Sequence, residues 1–155
     1  MVSDLVLRYF NLDDALQCSS LMQDHFLYHA INLPIKMRTQ IAKGRTAEYV
    51  QKIAKDRLIV VVVADDKIVG MGALKANEIR HMYIQSEYQR EGIGSMIIDF
   101  IEKEAFNKGF FSIIVNSVDY SEEFYQKKGF KSLIKTQIIR HGITLETILL
   151  EKILE

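Results

Sequence analysis

The middle of the sequence carries a polar segment with two glycines between two stretches of strand character. Residues 78–85 have that character, and residues 86–94, which contain Gly92 and Gly94, follow directly. Apolar residues then recur at helical spacing: Met96, Ile97, Phe100, Ile101 and Ala105. Residues 111–115 are again a strand-like run. A strand, a glycine loop, a helix and a second strand in this order predict a parallel crossover, and therefore a mixed sheet.

Further strands and helices surround this crossover. Strand character is found in five other segments: residues 5–9, 58–64, 68–75, 132–140 and 145–153. A helix is predicted after a cap at Asn11, and two more are predicted over residues 46–55 and 121–128. Residues 29–41 are interpreted as a loop or helix junction, and His141-Gly142 as the turn between the last two strands. The predicted order is β-α-α-β-β-β-α-β-α-β-β, within a single domain spanning residues 1–155.

Composition and charge exclude several classes of protein. Lys plus Arg and Asp plus Glu number 20 each, so no basic excess points to nucleic acid or to an anionic membrane surface. The longest apolar run, residues 58–64, is far shorter than the ~20 residues of a membrane span. The N-terminal residues lack the order of a secretory signal, and Cys18 is the single cysteine. We therefore expect a cytoplasmic protein in which Cys18 is a buried hydrophobic residue and not a nucleophile.

The segment Gln89-Arg90-Glu91-Gly92-Ile93-Gly94 has the features of an anion site. The first turn of a helix leaves backbone N–H groups without partners, and the helix dipole favours a negative charge there. Two glycines remove the side chains that would keep a diphosphate away, and an arginine adds positive charge. The segment lacks the Lys-Ser/Thr ending of a P-loop and the third glycine of the dinucleotide fingerprint. Taken alone, it is explained as well by a tight strand-to-helix turn.

Three motifs together resemble the GCN5-related N-acetyltransferases (the GNAT family). The glycine segment matches that family's acyl-CoA loop, Gln/Arg-x-x-Gly-x-Gly/Ala, and residues 78–84 are similar to its fourth strand, Glu-Ile-x-x-Leu-Tyr-Val. Residues 124–130 match its Phe-Tyr-x-x-x-Gly-Phe signature. The resemblance implies an α+β fold with a mixed sheet of about seven strands and about four flanking helices. It also implies that strands four and five splay apart.

The resemblance further implies that acetyl-CoA binds in this wedge. Backbone groups of Met82, Tyr83 and Ile84 would pair with the pantetheine arm like an added strand, and Asn116 would also reach that arm. The pyrophosphate would lie on main-chain amides of the glycine segment: Gln89, Arg90, Glu91, Gly92, Ile93, Gly94 and Ser95. No metal is expected, because His25 and His29, although four residues apart, lack a third ligand at suitable spacing.

The reaction implied is direct transfer of an acetyl group to a primary amine. Such an amine is protonated at neutral pH because its pKa is near ~10, so a base or a water chain must remove a proton. A backbone N–H near Met82 or Tyr83 would stabilise the oxyanion. Tyr125 matches the motif tyrosine and is expected to protonate the leaving thiolate, unless it is only an aromatic ring packed under the cosubstrate.

The base is left open between two residues. Glu78 stands at the start of the fourth strand, where many family members carry a catalytic carboxylate, although a structural surface glutamate is an alternative. His81 has the better intrinsic pKa. Strand alternation places His81 on the face opposite Glu78, and only a bulge between them would change this.

Two other functions remain open at this stage. A non-catalytic acyl-CoA-binding module would keep the same anion site, and an unrelated nucleotide-binding domain would bind ATP or NAD instead. The acceptor is an amine of a small molecule or of a protein, and the sequence does not choose between them. Apolar residues in the last strand, 148–150, permit a homodimer.

Overall fold

A computed structural model describes residues 4–117, 121–140 and 142–155. These residues form seven strands: β1 Val6–Tyr9, β2 Leu58–Ala64, β3 Lys67–Lys75, β4 Glu78–Ile84, β5 Ser112–Ser117, β6 Lys131–Arg140 and β7 Ile143–Ile153. The same residues form five α-helices: α1 Ala15–Asp24, α2 Ile35–Gly44, α3 Ala47–Ile53, α4 Ile93–Asn107 and α5 Glu122–Lys127. None of the helices in these residues is long and apolar enough to cross a membrane.

The strands form one sheet in the order β1-β2-β3-β4-β5-β7-β6. All neighbours are antiparallel except β4 and β5, which are parallel and are joined through α4. Between β4 and β5 the register holds a single residue pair, Glu78 with Ile114. The predicted mixed sheet, its crossover and the splay between strands four and five are therefore confirmed.

Helices cover both faces of the sheet, and each face has its own core. On one face, residues of α1, α2 and α3 such as Met22, Met37 and Val50 pack against Val61 of β2. On the other face, residues of α4 and α5 share a core with Val60, the neighbour of Val61. Because β2 is covered on both faces, its residues are buried along nearly their whole run, as the apolar sequence 58–64 predicts.

The region of residues 29–41 differs from its interpretation as a loop or junction. A π-helical turn, His25–His29, continues α1, and α2 begins at Ile35 directly after Pro34. A proline at a helix start is favourable because its φ is fixed at a helical value and its missing N–H would have no partner there. Within α2 only Met37 and Ala42 are buried, which leaves too few apolar residues for a helical period to be visible in the sequence.

Two predicted boundaries are found at the expected residues. The side chain of Asn11 accepts a hydrogen bond from the Asp13 amide and begins a 3₁₀ turn, Leu12–Asp14, which runs into α1. The hairpin between β6 and β7 turns at Gly142, with φ 74°. The other predicted turn residue, His141, lies outside the described residues.

Candidate active site

A cavity of about 730 Å³ opens where β4 and β5 separate. The two strands are held together at one end, where the Ile114 amide donates to the Asn77 carbonyl at 2.9 Å and Asn77 Nδ2 donates to the Ser112 carbonyl at 3.1 Å. Beyond that point β4 has an unpaired edge toward β5. Five of the predicted site residues line the cavity: Glu78, Met82, Tyr83, Asn116 and Tyr125. The remaining residue predicted on β4, Ile84, instead packs its side chain in the core beneath α4.

The glycine segment lies at the start of α4. The first hydrogen bond of α4 runs from the Met96 amide to the Gly92 carbonyl, at 2.9 Å, and no side chain caps the helix. The amides of Ile93, Gly94 and Ser95 therefore precede the first intrahelical bond. Gly92 has φ 81°, a left-handed conformation that favours glycine, and none of the described residues lies within 4 Å of the point where a Cβ would stand. This helix start is consequently open to an anion.

The remaining residues of the segment are exposed. Gln89 follows a 3₁₀ turn, and its amide donates to the Ser86 carbonyl at 3.3 Å. Arg90 also adopts a left-handed backbone, with φ 67°, and Glu91 is exposed between Arg90 and Gly92. None of residues 89–95 is among the described residues that line the cavity, so the helix start and the cavity are separate features.

Packing between α4 and α5 connects the two features. A Cβ on Gly94 would lie 3.0 Å from Phe124 Cζ, so a glycine is needed for this close approach. The Phe124 ring contacts the Tyr125 ring, with centroids 5.1 Å apart, and Tyr125 is only 3% exposed. Phe130 covers the other side of Tyr125, with ring centroids 5.4 Å apart. The Phe-Tyr-x-x-x-Gly-Phe motif thus seats a tyrosine in the cavity wall and fixes it against the start of α4.

A lysine at the end of α5, Lys128, lies beside the start of α4. Lys128 Nζ donates to Ser95 Oγ at 2.8 Å and to Asp99 Oδ1 at 2.7 Å. Its neighbour Lys127 instead pairs with Glu123 on the exposed face of α5. The adjacent lysines look alike in the sequence, and the partners of Lys128 lie some thirty residues away, so no local signal could separate the two.

A bulge in β4 changes the predicted position of His81. The β3–β4 register runs from Met71 opposite Tyr83 to Ala73 opposite Arg80, so one residue of β3 faces two of β4. His81 has φ 56° at this point. Ile79 packs in the core beneath α4, whereas Tyr83 packs in the core beneath α1, although strict alternation would place both on one face. The prediction that His81 lies opposite Glu78 is therefore wrong, since the bulge reverses the alternation and both residues line the cavity.

The environment of His81 keeps its ring neutral. Burial, together with the positive charges of Arg45, Arg57 and Arg80, lowers the pKa of His81 to about 3. Its Nε2 lies 2.9 Å from Arg57 Nη1, and because a guanidinium can only donate, Nε2 accepts this hydrogen bond. The ring proton is therefore on Nδ1.

Glu78 lies in the cavity wall with an adjacent cation. Arg80 Nη2 donates to Glu78 Oε1 at 3.3 Å, and the side chain of Glu78 is 23% exposed. Glu78 is thus a carboxylate on the cavity surface, and its partner Arg80 is also exposed to solvent. This arrangement leaves it accessible to a ligand.

Two further expectations concern cysteine and metal. Cys18 is fully buried, and burial raises the pKa of its thiol to about 12, which confirms the prediction of a buried hydrophobic residue without nucleophilic character. Within the described residues there is no group of three His, Cys, Asp or Glu side chains that could hold a metal ion. His25 packs its ring against Phe26 and Tyr83.

The chain combines a splayed mixed sheet with an uncapped helix start after its fourth strand, and comparison with known proteins identifies the family that shares this fold. A family model described as an acetyltransferase (GNAT) domain matches residues 33–150. The chain belongs to the GNAT acetyltransferase family. No curated protein matches the sequence significantly.

Solved structures share the fold at low sequence identity. A GCN5-related N-acetyltransferase from Rhodopseudomonas palustris is 20% identical with a TM-score of 0.89, over 99% of this chain and 98% of that one. The PaiA N-acetyltransferase from Thermoplasma acidophilum, in complex with coenzyme A, is 19% identical with a TM-score of 0.78, over 97% and 99%. YncA from Salmonella typhimurium, with its cofactor acetyl-CoA, is 14% identical with a TM-score of 0.73, over 97% and 94%.

Proposed function

We propose that the protein transfers an acetyl group from acetyl-CoA to a primary amine by direct attack. One observation carries the proposal: the uncapped start of α4 packs through Gly94 on Phe124, which contacts Tyr125 in the wall of the cavity between β4 and β5. A long ligand with a diphosphate at one end and a reactive group at the other matches that arrangement. The relatives solved with coenzyme A and acetyl-CoA support this choice of cosubstrate.

Main-chain groups would hold most of the cosubstrate. The Gln89 amide already donates to the Ser86 carbonyl, so of the predicted segment the amides of residues 90–95 would donate to the pyrophosphate, with Arg90 and Lys128 as nearby positive charges. Backbone groups of Met82, Tyr83 and Ile84 would pair with the pantetheine arm along the unpaired edge of β4. The Asn116 side chain, at the β5 side of the cavity, would reach the same arm.

Glu78 is the better candidate for the base. His81 has no lone pair left to take a proton from an amine, because its Nε2 accepts from Arg57 Nη1 and its Nδ1 carries the ring proton. Glu78 lines the same cavity and is accessible to water, so it would accept the proton directly or through a water molecule. His81, with its proton on Nδ1, would serve as a hydrogen-bond donor in the wall.

Tyr125 and the bulged edge of β4 would act on the acetyl group. A backbone N–H near Met82 or Tyr83 would donate to the developing oxyanion, where the bulge interrupts the ladder with β3. Tyr125 would give its hydroxyl proton to the leaving thiolate, whose pKa of ~8.5 is below that of a phenol but high enough for assistance to matter. Its burial against Phe124 and Phe130 would keep the ring in one orientation.

The test is release of free CoA from acetyl-CoA over a panel of primary amines. We expect turnover with at least one amine, and we expect Tyr125→Phe to lower kcat by about 10- to 100-fold with little change in acetyl-CoA affinity. Tyr28→Phe, at a tyrosine that is 67% exposed and outside the cavity wall, is the matched control. Acetyl-CoA binding without turnover on any amine would favour the non-catalytic module, and wild-type kcat in Tyr125→Phe would remove its role as acid.

A second variant tests the base. Glu78→Gln keeps the shape of the side chain but cannot accept a proton, so we expect a large loss of kcat/KM and a loss of the acidic limb of its pH profile. Glu48→Gln, on the exposed surface of α3, is the control. A wild-type pH profile in Glu78→Gln would assign the base to a water chain instead.

A further inference from the structure

The cavity wall carries more positive than negative charge. Among the lining residues that the structure describes, the cations are Arg45, Arg80 and Arg140, and the one carboxylate is Glu78. Arg80 is paired with Glu78. Arg45 and Arg140 have no carboxylate within ion-pair distance in the described parts of the chain. A purely cationic acceptor such as a polyamine would therefore meet repulsion here.

Arg45 is held in a defined position at the end of α2. Its amide donates to the Ala42 carbonyl at 3.1 Å, and its carbonyl accepts from Ser19 Oγ at 2.6 Å. The guanidinium carbon lies 4.5 Å from the centroid of the Tyr49 ring and 5.6 Å from that of Phe26. Its Nε is buried and has no hydrogen-bond partner among the described residues. A guanidinium stacked by its faces keeps its edge donors for a planar anion.

The phosphates of acetyl-CoA do not account for Arg45. The anion site at α4 belongs to the face of the sheet that carries Ile93 and Phe124 in its core. Phe26 and Tyr49, which contact Arg45, belong to the core on the opposite face. Arg45 therefore approaches the cavity from the side away from the diphosphate, which is the side left for the acceptor.

From this arrangement we propose that the acceptor is a small amine that also carries an anionic group, and that Arg45 binds this group with Arg140 nearby. The inference rests on the proposed acetyl transfer. A carboxylate is the group we favour, because its two oxygens match the fork of donors on a guanidinium. A phosphate monoester has the same chemistry and is distinguished below. The cavity must also admit the pantetheine arm, so the volume left favours a small acceptor over a folded protein.

The experiment compares matched acceptors that differ in one group. A panel of amino acids is used, and each amino acid is compared with its carboxamide and with its decarboxylated amine. An amino-alcohol phosphate is compared with the free amino alcohol. Binding to the wild-type protein is measured by calorimetry with CoA present, and turnover is measured in parallel. We expect the carboxylate form to bind at least tenfold more tightly than its carboxamide, and cationic diamines to bind poorly. A phosphate ester that outperforms every carboxylate would identify phosphate as the anionic group.

Variants of Arg45 separate its role from folding. Arg45→Lys keeps the positive charge but loses the paired guanidinium donors, and Arg45→Gln loses both. We therefore expect KM for the carboxylate acceptor to rise by about tenfold or more, with the larger rise in Arg45→Gln. The carboxamide and acetyl-CoA should bind as before. Lys43→Gln, on the exposed face of α2 outside the cavity, is the matched control. Arg140→Gln, at an exposed residue, tests binding of the same anionic group if Arg45→Gln does not fold.

The outcomes distinguish this inference from the proposed reaction. Turnover on amines with equal affinity for carboxylate and carboxamide would overturn the inference and leave the reaction standing. Arg45-dependent binding of the carboxylate without any turnover would overturn the reaction and leave the anion site standing. Equal loss of both acceptors in Arg45→Lys, with an unchanged melting temperature, would also contradict the role given to Arg45.

Discussion

Protonation of His81 is expected to destabilise the folded protein. The ring sits on the β4 bulge, where burial and three guanidinium groups lower the pKa of His81 from 6.5 to about 3. In the unfolded chain the histidine binds a proton near pH 6.5, but in the folded chain it does not until the pH is far lower. The unfolded state thus binds more protons throughout this interval, and folding stability must fall as the pH falls.

The magnitude follows from the size of the interval. The contribution of a neutral His81 is fully present above pH 6.5 and is lost progressively as the pH falls from 6.5 toward 3. At 1.36 kcal/mol per unit, acidification from pH 7.5 to pH 5 costs about 2 kcal/mol from this residue alone. That is a large part of the net stability of a domain, which is commonly about 5–15 kcal/mol.

Urea denaturation at the two pH values tests this prediction. His81→Asn removes the titrating group, and asparagine tolerates the left-handed backbone that His81 adopts, with φ 56°. We expect the wild-type protein to lose about 2 kcal/mol more stability than His81→Asn between pH 7.5 and pH 5. Loss of the hydrogen bond from Arg57 shifts both variant measurements equally and does not affect the difference. Parallel pH dependence in the two proteins would refute the account of His81.

Two further predictions concern the anion site and the core. Lys128→Met should weaken acetyl-CoA binding several-fold in calorimetry because it removes a cation beside Ser95. Lys127→Met, on the exposed face of α5, should not weaken it. Equal effects of the two substitutions would contradict the placement of Lys128 near the diphosphate. Gly72→Ala should lower the free energy of unfolding by about 1–3 kcal/mol because its Cβ would lie 2.5 Å from a side-chain carbon of α4. Gly44→Ala, where no residue in the described parts of the chain lies within 4 Å of the added Cβ, should leave stability unchanged or raise it. A stable Gly72→Ala would show that α4 can move away from β3.

The features that could be predicted from the sequence are those with a local signal. The crossover from β4 through α4 to β5 is formed by consecutive segments of the chain, so its order can be deduced directly from the sequence. The turn at Gly92 needs a conformation that glycine favours. The 3₁₀ turn that leads into α1 was also predictable, because Asn11 caps this turn through a contact two residues away. Family motifs added the splay and the placement of Tyr125 in its wall.

The features that could not be predicted depend on contacts distant in the sequence. The bulge at His81 arises from the pairing of β4 with β3 opposite Gly72, where the α4 side chains pack closely, and period-two alternation carries no sign of it. Lys128 reaches Ser95 on another helix. Arg45 lies in a stretch of weak periodicity, and only the fold brings it over Tyr49 at the cavity. Helix α2 was missed for a related reason, since few of its residues are buried.

The central claim is that main-chain amides at the start of α4 bind the diphosphate of coenzyme A. Amide chemical shifts recorded by NMR during titration with CoA, and with pantetheine as a control that lacks phosphates, test it at the groups concerned. We predict large, saturable shifts at Ile93, Gly94 and Ser95 with CoA and none at these residues with pantetheine. No saturable shift at these amides, or equal shifts with both compounds, would contradict the claim.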